Sequence, residues 1–385
     1  MTAHPRPPFT YFRPPMAPDP CYNWESGPSS GSPAAAGFTA RKVDAGLMTV
    51  RMKDIARELG LSVVTVSKVL RNHSDISAET RERVLKRMRE LNYQPDLAAR
   101  ALVTGKSYAI GLIVPDLLHP FFGQVALGLG VTLRERGYCL ILASSEEDPN
   151  LEQTEIQHLL SRRVDALILA SAQTSAEPLR ALEESHRPYV LIDRAFPGLL
   201  ANYVGIDDRM AGQIATAHLV AQGCRRIAHI RGYEVSTAIG RFDGYCSELV
   251  RRGMPVLPEL IAPIPPQGDG HGPESGYIAA RSLFQLPEPP DGIFCCNDPI
   301  ALGALRAAVE SGREVPKDVA IIGCGNLHYS DYLRIPLSTI DQQDRHIGHE
   351  AGALAVSLVG AKPVRPPRSV ILEPKLIARR SSLRK

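Results

Sequence analysis

From Tyr108 onward the chain alternates short, uninterrupted apolar runs with helix-length segments of mixed polarity, and this rhythm narrows the fold more than any other feature of the sequence. YAIGLIV (Tyr108–Val114), CLILA (Cys139–Ala143), ALILA (Ala166–Ala170), YVLI, RIAHI (Arg226–Ile230), GIFCC and VAIIG (Val319–Gly323) read as buried strands. Helical segments follow them, as at Phe121–Arg136 and Leu151–Arg162. Strands apolar on both faces must be covered on both faces, and regular alternation with helices makes the sheet parallel. At least eight such strands predict two doubly wound α/β subdomains rather than one. No repeat of solenoid length is visible.

Charge divides the chain differently. The net charge is only +3, yet residues 48–106 carry twelve Lys and Arg against seven Asp and Glu, and the residues beyond them are net acidic. A small basic module on a mildly acidic body points to a polyanion partner for the module alone. Residues 1–47, rich in Pro, Gly, Ser and Ala, bury too little to offset their ordering entropy and are expected to be disordered. Met48 directly precedes the first patterned segment, so the leader reads either as untranslated or as a regulatory tail. No apolar run approaches the roughly 18–20 residues that span a bilayer, and no secretory h-region is present. Seven cysteines without regular spacing make no disulfide framework, and Cys295–Cys296 reads as packing. A reducing cytoplasm is the expected compartment, with the protein associated with the nucleoid.

Within the basic module, Ile55, Ala56 and Leu59 fall at helical spacing before Gly60 breaks the helix. Ser62 can cap a second helix, whose Val66, Val69 and Leu70 pack back on the first. Two short amphipathic helices with a three-residue breaker form a helix-turn-helix. A third helix follows Ser77, with Val84, Leu85, Met88 and Leu91 on one face and Arg83, Arg87 and Arg89 on the other.

KDIARELGLSVVTVSKVL followed by ETRERVLKRMRELNYQPDLAARAL resembles the DNA-binding segment of lac repressor-type (LacI/GalR) transcriptional regulators. The likeness runs through Thr65–Val66–Ser67, the NYQP run at Asn92–Pro95 and the AARAL run at Ala98–Leu102. It implies an all-α helix-turn-helix at 48–94 and a hinge helix and linker at 95–106. In such regulators the first residues of the second helix face base edges, which makes Val63, Val64 and Lys68 the readers. The valines offer apolar contact to thymine methyls, and Lys68 reaches guanine acceptors. Ser62, Thr65 and Ser67 are expected on phosphates, which position without specifying. Ala99 and Leu102 are expected in the minor groove, where in relatives the hinge leucines wedge between base pairs.

IGLIVPDLLHPFF, VDALILA, VGIDDRMAG, RFDGY, NDPIALGALRA and EPKLIARR are similar to further landmarks of that family, in its order. They imply a periplasmic-binding-protein-like effector domain at 107–380, two subdomains closing on a small molecule, followed by a tail at 381–385. Ligands of open α/β sheets sit beyond the carboxyl ends of the strands. The expected contacts are Phe121 and Phe122 as an aromatic wall (one of them core), Asp193, Arg194, Thr237, Arg241 and Asp298. Arg241 would form a fork to paired hydroxyls or a carboxylate, and Asp298 would accept from hydroxyls or ring N–H groups. A sugar is the expected effector, with a purine-like ligand as the minority case. Cys324–Gly325–Asn326 stands where the family usually has an aromatic and an acidic residue.

The implied function is a repressor that binds a palindromic operator as a homodimer under effector control. The alternative is a solute-binding receptor for a sugar transporter, which leaves the basic module unexplained. Enzyme readings find no residues: Gly128 and Gly130 lie inside a helix rather than in a phosphate-binding turn, GxxxxGK[ST] and HExxH are absent, and there is no GxSxG elbow between a strand and a helix, since the letters match only at Gly27–Gly31 in the leader. No cofactor or metal is expected. No heptads follow EPKLIARR, so a tetramerising coiled coil is not expected either.

Overall fold

The computed structural model describes residues 50–70, 73–93, 101, 104–183, 186–265, 269–361 and 366–384. The leader and the hinge positions Ala99 and Leu102 lie outside them. The chain divides into two units, one ending at Gln94 and one beginning at Pro95.

In the first unit, α1 (Met52–Leu59), α2 (Val63–Leu70) and α3 (Ala78–Glu90) close around Ile55, Ala56, Val66, Val69, Val84 and Met88. α1 ends because Gly60 takes a left-handed conformation (φ 65°), open to glycine without strain. Ser62 then accepts from the Thr65 N–H at 3.0 Å, starting α2 one residue later. Ser77 repeats the device for α3, accepting from Thr80 N–H at 3.2 Å. One core expectation fails here. Leu85 is 41% exposed, since the inward face of α3 follows the Val84–Met88 spacing of four and Leu85 is rotated about 100° away. Arg87, expected on the outer face, ties α3 to α1 through Glu58 at 2.6 Å.

The second unit holds two six-stranded sheets. The first comprises β1 (Ala109–Val114), β2 (Cys139–Ser144), β3 (Ala166–Leu169), β4 (Tyr189–Ile192), β5 (Asn202–Ile206) and β11 (Ser369–Leu372), in the order β11-β5-β4-β3-β1-β2. The second comprises β6 (Ile227–Ile230), β7 (Ile261–Ala262), β8 (Gly292–Cys295), β9 (Ala320–Cys324), β10 (Ser338–Asp341) and β12 (Lys375–Ile377), in the order β12-β10-β9-β8-β6-β7. All pairs are parallel except β10 with β12. The seven apolar runs quoted from the sequence all form strands here, and the expectation of at least eight holds, with twelve among the described residues. β2 differs from the expectation of full burial, because as an edge strand it is half exposed. The strands β5, β10 and β12 mix polar residues or glycine with apolar ones, and the apolar runs at β7 (Leu260–Ala262) and β11 (Val370–Leu372) are only three residues long.

Helices α4 (Pro120–Glu135), α5 (Pro149–Ser161), α6 (Glu177–Glu183), α7 (Asp208–Ala221), α8 (Ser236–Arg251), α9 (Pro273–Phe284), α10 (Asp298–Glu310) and α11 (Asp344–Leu358) cover the sheets. After β5 the chain passes to α7 on the second sheet, after β10 it returns to α11 on the first, and after β11 it crosses again to β12. The two subdomains are therefore joined by three crossings, near Asp207, Gln342–Gln343 and Glu373. Adjacent crossings are bonded to one another: Asp207 N–H donates to Leu372 O at 3.3 Å, and the Gln343 side-chain amide to Glu373 O at 2.7 Å.

Three helix pairs lie close enough to exclude a side chain at the crossing. A Cβ on Gly128 would strike the Arg345 carbonyl and one on Gly348 that of Val125; Gly212 and Gly244 meet Arg241 and Arg209, and Gly276 and Gly303 meet Ile300 and Pro273. Gly128 thus serves helix contact, in keeping with its rejection as part of a nucleotide fingerprint. The segment set apart as a tail is built into the second sheet instead. Ser381 Oγ donates to Ile321 O at 2.6 Å and accepts from Ser338 N–H at 2.8 Å, and Ser382 is fully buried.

Candidate functional site

On the first unit, the burial of Val66 and Val69 turns positions 63, 64, 67 and 68 of α2 outward. Val63 is 46% and Val64 61% exposed, although neither is polar. Around them, the Ser62 and Thr65 hydroxyls lie 2.9 Å apart, and Lys68 Nζ meets Asp75 Oδ2 at 2.5 Å. That hydrogen bond holds the Asp75 carboxyl below its ordinary pKa. The pair is solvent-exposed and screened by water, so Lys68 is readily exchanged to another acceptor. Ser67 is half-buried on the same helix. An apolar pair at a helix N-terminus, ringed by hydroxyls and one ammonium, suits a groove with methyl groups and phosphates at its walls.

On the second unit, a cleft of about 280 Å³ opens between the subdomains. Its residues follow strand ends in both sheets: Asp116 after β1, Ser144 on β2, Asp193 and Arg194 after β4, Tyr233 after β6, Cys296 and Asn297 after β8, and Gln342 after β10. This is where parallel sheets place ligands, because successive connections leave the strand ends in opposite directions. Phe121 and Phe122 form one wall, edge to face with centroids 5.1 Å apart. Both are nearly buried, and both line the cleft.

Every nitrogen of Arg241 is engaged: Nε donates to Asp208 at 2.9 Å, Nη1 to the Cys296 carbonyl at 2.8 Å and Nη2 to the Gln342 side chain at 2.7 Å. Asp208 and Gln342 stand at two of the three crossings, so Arg241 binds the cleft floor to those crossings. Burial pushes the Asp208 carboxyl up to about 7 even against the attraction of Arg241. Arg194 forks onto Glu147 at 2.6 and 2.8 Å. Burial would raise the Glu147 pKa, but the hydrogen bonds and charge of Arg194 outweigh it and hold it below the ordinary value. Burial raises Asp193, whose backbone is left-handed at φ 61° and whose carbonyl accepts from Tyr203.

Of the residues expected from sequence, Phe121, Phe122, Asp193, Arg194, Thr237 and Arg241 come together in the cleft. Asp298 does not. It is fully buried at the start of α10, where it accepts from Thr339 Oγ1 at 2.6 Å and from Leu327 N–H at 3.0 Å. Its neighbour Asn297 faces the cleft instead. Asn297 Nδ2 donates to the His271 carbonyl at 3.1 Å and lies 3.5 Å from His119 Nε2 on the opposite wall. Asn326, in the segment departing from the usual pattern, bonds Arg379 at 2.9 Å and does not line the cleft.

His119, Glu147, Tyr233, His271, Asn297 and Gln342 were missed from sequence. The loops carrying His119, Glu147 and Tyr233 follow strands directly, which was the one available signal; His271 comes from a connection whose path no local pattern announces. Burial lowers both His119 and His271 to about 4, so both imidazoles are neutral near pH 7. Their Nδ1 and Nε2, respectively, and Arg194 Nε have no hydrogen-bond partner in the protein, and such buried groups call for a hydrogen-bonding ligand or water.

Comparison with known proteins finds a family match in both parts of the chain. The family described as bacterial regulatory proteins, lacI family, matches residues 51–96, and the periplasmic binding protein-like domain matches residues 216–382. The chain is 30% identical over 332 residues to the HTH-type transcriptional repressor PurR of Actinobacillus pleuropneumoniae serotype 3 (strain JL03), covering 86% of this chain and 97% of that protein. It is 34% identical over 301 residues to the HTH-type transcriptional repressor CytR of Escherichia coli (strain K12), covering 78% and 87%. Among solved structures, the lac repressor dimer bound to operator and the anti-inducer ONPF superposes with a TM-score of 0.76 at 26% identity, over 87% of this chain and 99% of that one.

Proposed function

The chain belongs to the lacI family of bacterial regulatory proteins, and on that premise we propose that this DNA-binding repressor grips a palindromic operator as a homodimer and answers to a sugar held in the cleft. The observation that carries the DNA reading is the outward pair Val63–Val64 at the start of α2, large apolar side chains that a free surface would not favour. Set in a major groove they read thymine methyls, Lys68 releases Asp75 for a guanine, and Ser62, Thr65 and Ser67 hold phosphates. A dimer repeats these contacts one helical turn away, which is why the operator is palindromic.

The cleft supports a polyhydroxylated effector. Two neutral imidazoles and the Asn297 amide offer donors and acceptors together, and the phenylalanine wall offers a flat apolar face. Closure on that ligand changes the angle between the subdomains at the three crossings. Residues 95–106 then act as the hinge that couples cleft to operator, by about 1–3 kcal/mol.

The hinge part of this proposal rests on the family resemblance and is tested at Leu102. Leu102→Ala is expected to weaken binding to a selected operator by roughly 100-fold or more, while binding to mixed-sequence DNA falls less than threefold, because a wedge contributes only where the duplex is kinked. Titrations on both DNAs at one salt concentration check it. Equal losses on the two would remove the wedge.

A further inference from the structure

The two cations of the cleft are both occupied. Arg194 is spent on Glu147 through two hydrogen bonds, and Arg241 on Asp208, Gln342 and a carbonyl. Against them the cleft presents Asp116, Glu146, Glu147, Asp193 and Asp269. Five carboxyl groups to two guanidiniums leave the lining acidic even if the buried Asp193 holds a proton. The histidines do not redress the balance, because burial keeps them neutral. Among the described residues lining the cleft, no lysine is present. Among the described residues of the cleft, the buried side-chain atoms without a hydrogen-bond partner are Nδ1 of His119, Nε2 of His271 and Nε of Arg194, the last lying 4.0 Å from Asp193 Oδ2. Two belong to neutral rings, and the third points from a guanidinium whose charge Glu147 already balances.

From this arrangement we propose that the effector is an uncharged, hydroxyl-bearing ring compound, and that Glu147 acts as the discriminator that excludes its phosphate esters and carboxylic acids. The proposal rests on reading the cleft as the effector site. A phosphate entering it would exchange its hydration for a set of carboxylates and for arginines that cannot turn to it without abandoning the carboxylates they already hold, Glu147 and the buried Asp208. A hydroxyl meets no such obstacle, since each neutral imidazole can donate to it or accept from it. The protein therefore distinguishes a free solute from the phosphorylated form of the same solute.

The test uses the full-length protein and calorimetric titration with matched pairs: ribose and ribose 5-phosphate, glucose and glucose 6-phosphate, adenosine and adenosine 5′-monophosphate. Inorganic phosphate is titrated separately into the wild type and into Glu147→Gln. Any neutral compound that binds is expected to lose at least 100-fold in affinity on phosphorylation. The wild type is expected to take no inorganic phosphate at millimolar concentration, and Glu147→Gln, which frees Arg194 but keeps an acceptor beside it, is expected to gain phosphate binding at least tenfold. Should none of the neutral compounds bind, the phosphate titrations decide alone. Should Glu147→Gln fail to fold, the wild-type titrations decide. Saturable binding of phosphate or of an ester to the wild type, lost in Arg194→Gln, would overturn the charge rule while leaving the cleft as the effector site. Binding of any compound that is indifferent to both Arg194→Gln and Phe122→Ala would overturn the cleft reading itself.

Discussion

Arg241→Ala is expected to cost about 3–5 kcal/mol of folding stability and to abolish the response to effector. The guanidinium is 5% exposed and satisfies three groups at once, among them the Asp208 carboxylate, itself 11% exposed. Truncation leaves that carboxylate buried without a counter-charge, and it also unties the cleft floor from two of the three crossings. The expected loss depends on pH. Burial already pushes Asp208 to about 7 with Arg241 present, and removal of the arginine raises it further. A carboxyl whose folded pKa lies above its unfolded value favours folding while protonated, so its contribution is lost as pH rises. The deficit of the variant should therefore widen between pH 6 and pH 9. Urea unfolding at both values checks this, and Asp208→Asn in the Arg241→Ala background should recover part of the loss. A variant as stable as the wild type at pH 9 would mean that the ion pair can be dismantled without strain.

Val64→Asp is expected to have the opposite profile, leaving stability within about 0.5 kcal/mol and lowering operator affinity roughly 100-fold. The side chain is 61% exposed and lies in the first turn of α2, where a carboxylate suits the helix dipole. On DNA the same carboxylate meets phosphates and loses the methyl contact. Thermal unfolding and operator titration on one preparation separate the two effects. A large fall in melting temperature would show that Val64 supports the helix packing instead of facing the groove.

Much of this architecture can be read in the residues, for identifiable reasons. Central strands such as β1 and β3 are buried on both faces, so their sequences are uninterrupted apolar runs. Gly60 and Ser62 announce the turn because a left-handed position and an N-cap each admit few residue types. The strand β10 hides because its Ser338 and Thr339 are buried with their hydroxyls bonded inside the fold, at Arg379 O and Asp298, so polarity there does not mean exposure. The cleft was legible only in part. Arg241 and Asp193 follow from the strand-end rule combined with family likeness, while Asp298 shows the limit of that rule. The residue beside a strand end and the one facing the ligand differ by a single step along the chain, and it is the cap of α10, formed by Asn297 on Ile300 N–H at 2.8 Å, that sets the step. His271 reaches the cleft from a connection between β7 and α9, and its position depends on tertiary packing alone.

Recognition of a specific DNA sequence is assigned to α2. The most direct measurement is selection of bound fragments from the source genome at moderate salt, followed by sequencing, on the wild type and Val64→Asp in parallel. The wild type is expected to enrich a short palindrome, and the variant to lose it. Enrichment that is the same for both proteins, or none for the wild type with and without pooled sugars and nucleobases, would contradict that assignment.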